Sequence, residues 1–111
     1  MKNKKVLIID DEVDFGLLLK NFFVKRDYEV YVSYSLNEGM EIMDSIKPDL
    51  IFLDNNLPDG FGWSKTEYIL NKYPGVLLNL ISAYYVPKTS STSFRILEKP
   101  IGIEELNQLF L

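Results

Sequence analysis

Two side chains that enzymes and metal sites use most are missing from this chain of 111 residues, which contains no cysteine and no histidine. The absence of cysteine excludes disulfides, thiolate metal sites and cysteine nucleophiles. The absence of histidine excludes Ser-His and Cys-His catalysis, histidine-ligated zinc and a phosphohistidine on this chain. Its chemistry must therefore use carboxylates, hydroxyls, lysine or a bound cation.

Long apolar runs and excess positive charge are also lacking. No stretch approaches the length of a membrane span, and the apolar run after the basic start is too short for a signal peptide. The formal net charge of −4 argues against a nucleic-acid surface. We therefore expect a cytoplasmic protein that binds neither nucleic acid nor a membrane. We also expect residues 1–111 to form a single domain, without an output domain.

The most informative feature of the sequence is a set of short apolar runs, each of which ends at a polar residue. Short runs of β-branched and aliphatic residues are typical of strands buried on both faces of a parallel sheet. Four such runs end at Asp10–Asp11, Asp54, Ser82 and Lys99–Pro100. The carboxyl ends of parallel strands converge on one crevice. The sequence therefore predicts three carboxylates, one hydroxyl and one ammonium in a single pocket, a set that suits a divalent cation and a phosphoryl group.

Helical patterns separate these strands. Ser35 and Glu38 form a capping box at the start of one helix, and Lys47–Pro48 ends it. The remaining elements are helices over 13–25, 62–72 and 104–111, strands over 28–33 and 94–98, and a turn over 57–60. The alternation of strands and helices predicts a doubly wound α/β sheet.

The connection between the fourth and fifth strands is unusually short. It consists of residues 83–93, most of which are poor helix formers. A parallel crossover needs about a dozen residues or more and usually contains a helix. We therefore expect the fourth helix to be short or missing, and this segment to be extended or irregular.

Taken singly, each motif has a purely structural explanation. Asp10–Asp11 suits the first turn of a helix, Asp54 a turn, Ser82 a cap, and Lys99–Pro100 an exposed strand exit. Independent capping would not select this combination of residue types at one edge of a sheet.

Together the motifs resemble the receiver domain of two-component response regulators over essentially the whole chain. The matching residues, in the family's order, are IIDDE at 8–12, LDNNLPDG at 53–60, Ser82–Ala83 and Glu98–Lys99–Pro100. The resemblance implies a flavodoxin-like sheet of five parallel strands in the order 2-1-3-4-5. The leading hypothesis is a stand-alone signalling protein that phosphorylates and dephosphorylates itself at Asp54 with Mg²⁺ and is not a turnover enzyme on a separate substrate. Such a protein accepts a phosphoryl group from a histidine kinase or histidine phosphotransfer protein and acts by contact with an unknown downstream protein.

The resemblance also implies the roles of the acidic residues. Asp54 would be the phospho-acceptor, in a reaction that depends on Mg²⁺. Asp11 and Asp54 would bind the cation directly, Asp10 would bind it through water, and the backbone carbonyl of Asn56 would complete the protein ligands. An oxygen-only ligand set is the one that Mg²⁺ prefers.

The resemblance implies roles for Ser82 and Lys99, and the chain differs from the family at one nearby position. Ser82 would hydrogen-bond one phosphoryl oxygen, and Lys99 would pair with another. Three residues before the lysine the family usually has Tyr or Phe, but this chain has Ile96, with Phe94 on the same strand face. With the short 83–93 segment, this departure leaves a second hypothesis open, a receiver that acts as a phosphorylation-independent interaction module.

Two other functions fit less well. An FMN-binding protein of the same strand order would need a Ser/Thr/Gly-rich phosphate loop after the first strand, where residues 10–12 are all acidic and would repel phosphate. A hydrolase with an Asp nucleophile usually carries a second carboxylate two residues later, and Asn56 occupies that place.

Overall fold

Five parallel strands form the main sheet of the computed structural model, which describes residues 3–83 and 93–110. The strands of this sheet are β1 (Lys5–Ile9), β2 (Glu29–Ser33), β3 (Leu50–Asp54), β6 (Leu77–Ser82) and β7 (Phe94–Glu98). A separate antiparallel pair consists of β4 (Asn56–Leu57) and β5 (Gly60–Phe61). The main sheet has the order β2-β1-β3-β6-β7. This confirms the predicted parallel sheet, because the order is 2-1-3-4-5 when the two short strands are not counted.

Helices connect the strands. They are α1 (Val13–Val24), α2 (Leu36–Ile46), α3 (Thr66–Lys72) and α4 (Ile103–Phe110). In the ranges 3–83 and 93–110, none of them is long and apolar enough to cross a membrane. The predicted short or missing helix in the crossover before β7 falls on residues 84–92, outside the described residues, and stays a prediction.

Two apolar layers cover the two faces of the sheet. Side chains alternate between the faces along each strand, so Val6 and Ile8 of β1 point into one layer and Leu7 and Ile9 into the other. The first layer holds the buried residues of α1 and α4, and the second holds those of α2 and α3. All five residues of β3 are buried. This explains why β1 and β3 read as continuous apolar runs.

The predicted third helix over 62–72 is α-helical only from Thr66. Residues Gly62–Lys65 form a 3₁₀ turn instead. Two bonds to Asn55 set this turn: the Gly62 N–H donates to its backbone oxygen at 2.9 Å, and the Trp63 N–H donates to its side-chain Oδ1 at 3.2 Å. A Cβ at position 62 would lie 2.1 Å from the carbonyl oxygen of Asp54, so only glycine fits this approach.

The predicted capping box at α2 is half correct. The Ser35 Oγ accepts from the Glu38 N–H at 3.3 Å, as expected. The backbone N–H of Ser35 does not pair with the Glu38 side chain but donates to the Oγ of Ser33 at 3.4 Å. Ser33 is buried at the end of β2 and also donates from its Oγ to the Ser35 carbonyl at 2.8 Å. The Ser35 N–H therefore uses the hydroxyl at the end of β2, two residues earlier in the chain, as its acceptor instead of the Glu38 side chain.

Candidate functional site

Four adjacent strand ends bring the predicted polar residues together. Asp10 directly follows β1, Asp54 ends β3, Ser82 ends β6 and Lys99 directly follows β7. Backbone bonds fix the alignment of the last two strands, because the Lys99 N–H donates to the Ser82 carbonyl at 2.9 Å. Both Asp54 and Ser82 are buried at this edge. The convergence predicted from the parallel sheet is thus present.

Three carboxylates form the acidic part of the site. Asp10, Asp11 and Asp54 each offer one oxygen, and these oxygens all lie within 4.8 Å of one another. Asp10 and Asp54 are buried, and Asp11 is exposed. Clustered carboxylate oxygens suit a hard divalent cation such as Mg²⁺ or Ca²⁺. The cluster is consistent with a divalent metal site.

The ammonium of Lys99 faces several acids at once. Its Nζ lies 2.9 Å from Asp10 Oδ2, 2.6 Å from Glu12 Oε1 and 3.5 Å from Asp54 Oδ1. The ring centroid of Phe15 is 4.8 Å away. Only 8% of the Lys99 side chain is exposed. This cation is therefore held closest to Asp10 and Glu12, and it lies within reach of Asp54.

A small cavity opens between these groups. It measures about 240 Å³ and is lined by Asp11, Glu12, Asp54, Asn56, Ala83 and Lys99. A larger cavity of about 510 Å³ lies at the other ends of β6 and β7. Within the described part of the chain, Arg95 is the only charged residue lining the larger cavity. Of these two cavities, the one at the carboxyl edge is the one that combines acids and an ammonium with open space.

Comparison with known proteins decides the family. Residues 6–110 match the response regulator receiver domain family. The chain belongs to this family. Receiver domains act in signalling and are phosphorylated by histidine kinases or phosphotransfer proteins. They do not turn over a separate substrate.

Individual relatives agree with the receiver assignment. The response regulator protein PilR of Pseudomonas aeruginosa is 28% identical over 98% of this chain, which covers 26% of PilR. The sporulation initiation phosphotransferase F of Bacillus subtilis is 33% identical over 70% of this chain, which covers 64% of that protein. The crystal structure of a CheY-like receiver domain protein from Methanospirillum hungatei aligns with a TM-score of 0.86 at 22% identity, covering 97% of this chain and 90% of that one. The receiver therefore spans about a quarter of PilR and less than two thirds of the phosphotransferase.

Burial controls protonation in this receiver site. Burial, and then the neighbouring charge of Asp10, raises the pKa of Asp54 to about 6, although Lys99 partly opposes the shift. Burial also raises the pKa of Asp10, against the ion pair with Lys99 and the hydrogen bond that it accepts from the Glu12 N–H at 2.8 Å. Burial alone would lower the pKa of Lys99, but its bonds to Asp10 and Glu12 raise it above the ordinary value. Lys99 therefore stays an ammonium, and the raised pKa of about 6 leaves the Asp54 carboxyl half ionised near that pH when no metal is bound.

Sequence reasoning missed two residues of the site. Glu12 appears there only within the IIDDE motif and as an acid that would repel phosphate, and Phe15 has no predicted role. The structure places both against the Lys99 ammonium. Their position offers a signal, because Glu12 directly follows Asp11 and Phe15 lies in the first turn of α1.

The departure at Ile96 has a defined position in the structure. Ile96 and Phe94 are both partly buried and pack against the layer that α2 and α3 cover. The expectation that they share one face of the strand is therefore confirmed. Phe94 is the first residue of β7, so it lies two residues further than Ile96 from the carboxyl end of the strand, where the site is.

Proposed function

We propose that this receiver accepts a phosphoryl group on Asp54 from a phosphohistidine of a partner kinase or phosphotransfer protein, in a Mg²⁺-dependent reaction. The observation that carries the proposal is the placement of Asp54 Oδ1 3.5 Å from the Lys99 ammonium, in a cluster with Asp10 and Asp11. A buried carboxylate beside a cation and two further acids suits attack on phosphorus when a second cation joins them.

The chemistry assigned to the chain's own residues is a single displacement. An ionised Oδ of Asp54 attacks phosphorus, a P–O bond forms, and the P–N bond to the partner's imidazole breaks with its electron pair going to nitrogen. Lys99 donates to a phosphoryl oxygen as charge develops there, and Ser82 supplies a hydroxyl donor at the same edge. The phosphoryl group is lost by hydrolysis, in which a water oxygen bonds to phosphorus, the bond between phosphorus and the Asp54 Oδ breaks, and the carboxylate and inorganic phosphate are released.

The donor set fits Mg²⁺ because it consists of oxygen ligands that are close together and differ in exposure. Asp11 and Asp54 would hold the cation directly, Asp10 would hold it through water, and Asn56 would add its backbone carbonyl. When bound, Mg²⁺ neutralises charge on the clustered acids and on the transferring group. Asn56 lines the cavity in which the cation would bind.

One relative and the sequence support the choice of partners and of cellular location. The phosphotransferase F that resembles this chain is named for phosphoryl transfer, which supports phosphoryl transfer as the chemistry proposed here. Signalling by contact with a downstream protein and a cytoplasmic location are predictions from the sequence. The proposed reaction at Asp54 requires neither.

A small phosphodonor tests the proposal without the partner. Incubation with acetyl phosphate and Mg²⁺ should add the mass of one phosphoryl group to the protein. Asp54→Asn should abolish this addition, whereas Asp44→Asn, which changes an exposed acid on α2, should keep it. Label that persists in Asp54→Asn, or its absence from the wild type, would overturn the assignment.

One observation favours a second candidate, the phosphorylation-independent interaction module. Ile96 has no polar tip that could move between solvent and an inner hydrogen bond, as an aromatic hydroxyl at this position could. A partner pull-down distinguishes the two functions. If the protein is a phosphorylation-independent module, wild type and Asp54→Asn capture the partner equally well, with or without acetyl phosphate. If it is a phosphorylated receiver, acetyl phosphate changes capture by the wild type only.

A further inference from the structure

The carboxylate of Asp59 connects two elements that are distant in sequence. Asp59 lies in the two-residue turn between β4 and β5. Its Oδ1 accepts from the backbone N–H of Leu36 at 2.7 Å, and its Oδ2 accepts from that of Asn37 at 2.8 Å. These are N–H groups of the first turn of α2, which lack partners within the helix. These two bonds hold the pKa of Asp59 below its ordinary value.

The same hairpin carries a residue of the site. Strands β4 and β5 pair Asn56 with Phe61 and Leu57 with Gly60. Asn56 lies two residues after Asp54 and lines the cavity at the acidic cluster. The direction of its backbone carbonyl therefore depends on how the hairpin is held.

The hairpin is held at three levels. At its base, the N–H of Asn55 donates to the Ile81 carbonyl at 3.3 Å. In its middle, the Leu57 side chain is buried in the α2–α3 layer. At its tip, Asp59 binds α2 through two charge-assisted bonds, a type that is stronger than bonds between neutral groups. The base and the middle anchor the hairpin to β6 and to the apolar layer, and Asp59 ties its tip to α2.

We propose that Asp59 is a positioning residue that orients the Asn56 carbonyl for the cation by tying the hairpin to helix α2. The inference rests on the proposed Mg²⁺ site and names a further residue that this site depends on. Groups that hold metal ligands in place typically contribute about 10–100-fold to metal affinity. Because Asp59 acts on one ligand only, the lower end of that range is expected.

Linkage adds a signature that a simple helix cap would lack. If fixing the hairpin favours the cation, the cation must favour the fixed hairpin by the same factor. Mg²⁺ should therefore slow hydrogen exchange at the amides of Leu36 and Asn37, which donate to Asp59. It should leave the Glu38 amide unchanged, because its acceptor is the Oγ of Ser35.

The experiment uses titration calorimetry to compare the Mg²⁺ affinity of the wild type with that of three variants. Asp59→Ala removes both bonds and should weaken binding about tenfold. Ser35→Ala removes a cap from the same helix without touching the hairpin. Glu38→Gln removes an equal charge from the same helix end. Both controls should stay within about twofold of the wild type. Amide exchange with and without Mg²⁺ is measured on the same samples.

Each outcome has one meaning. Wild-type affinity in Asp59→Ala, or equal losses in Asp59→Ala and Glu38→Gln, overturns the role of Asp59 and leaves the metal site standing. A wild type that binds no Mg²⁺ overturns the proposed function itself. If Asp59→Ala does not fold, Asp59→Asn keeps one acceptor oxygen and should bind with an intermediate affinity. Unchanged affinity in Asp59→Asn would then overturn the proposal.

Discussion

Two lysine–aspartate pairs of nearly equal length lie in very different surroundings in this receiver. Lys72 and Asp44 are 2.8 Å apart between α3 and α2, with 44% and 52% of their side chains exposed. Lys99 and Asp10 are 2.9 Å apart at the carboxyl edge of the sheet, with 8% and 0% exposed. Distance does not distinguish the pairs, whereas burial does.

The difference in burial indicates that the charged residues at the carboxyl edge lower the stability of the fold, whereas the exposed pair has little effect on it. An exposed pair gains little, because water screens the attraction and two long side chains lose freedom. A buried pair loses hydration that its mutual attraction seldom recovers in full. At the carboxyl edge one ammonium also faces Asp54 and Glu12, so negative charge is in excess. Such an arrangement has a physical reason if a cation and a phosphoryl group complete it.

Loss of the buried ammonium should have the largest effect. Lys99→Ala leaves Asp10 and Asp54 buried without their cation, and it should lower the free energy of unfolding by about 3 kcal/mol in metal-free buffer. It should also slow phosphorylation by acetyl phosphate. Urea unfolding and mass spectrometry measure the two effects.

The matched control is Lys72→Ala, which breaks the exposed pair. It should leave both the free energy of unfolding and the phosphorylation rate almost unchanged. Equal destabilisation by the two substitutions would contradict the contrast between the pairs.

Removal of the nucleophile's charge should stabilise the metal-free protein. The pKa of Asp54 is raised to about 6, so the folded state binds its proton more tightly than the unfolded state does. Stability from this group is fully present below about pH 4 and is lost as the pH rises through about 6. Asp54→Asn should therefore gain about 3 kcal/mol over the wild type at pH 7.5. Most of this gain should be gone near pH 4.

Urea unfolding in a chelator at pH 7.5 and pH 4 checks this sign. A gain of the same size at both pH values would mean that it does not come from ionisation of Asp54.

Mg²⁺ should stabilise the unphosphorylated receiver. A ligand that binds only the folded state at ten times its Kd adds about 1.4 kcal/mol. Thermal melts with and without Mg²⁺ should show this gain in the wild type and little of it in Asp11→Asn. Without metal, Asp11→Asn should melt slightly higher than the wild type, because one repelling charge is gone. If Mg²⁺ shifts both proteins equally, the acidic cluster is not the metal site.

The smallest expected effect concerns Glu12, which holds the ammonium at 2.6 Å. Glu12→Gln should speed phosphorylation by acetyl phosphate about fivefold at low ionic strength. Two charges about 4 Å apart in water interact by roughly 1 kcal/mol, which corresponds to that factor. Asp14→Asn removes an acid from the first turn of the same helix and serves as the control. A slower reaction in Glu12→Gln would show that Glu12 assists Lys99 instead of competing for it.

The features that follow from periodicity were predictable from the sequence. The strand before Asp10 and the strand before Asp54 are buried on both faces, so each appears as an uninterrupted apolar run. The rule that parallel strands end at one edge then predicts that Asp10, Asp54, Ser82 and Lys99 lie together.

Features that depend on contacts between distant segments were not predictable in this way. The 3₁₀ turn at 62–65 depends on Asn55, and the cap of α2 depends on Asp59, 23 residues after Leu36. Asn79 interrupts the apolar run of β6, yet it is fully buried because its Nδ2 donates to the Ile51 carbonyl at 3.1 Å. In each case a side chain satisfies a backbone group on another element, and no local pattern records that partner.

The crystal structure of this receiver with Mg²⁺ and beryllofluoride, a mimic of the phosphoryl group, tests the central claim most directly. The account predicts beryllofluoride on an Oδ of Asp54 and Mg²⁺ on Asp11, Asp54 and the Asn56 carbonyl. It also predicts that the Lys99 Nζ leaves Glu12 and lies within about 3 Å of a fluoride. Lys99 still paired with Glu12 beside a bound beryllofluoride, or no adduct at Asp54, would contradict it.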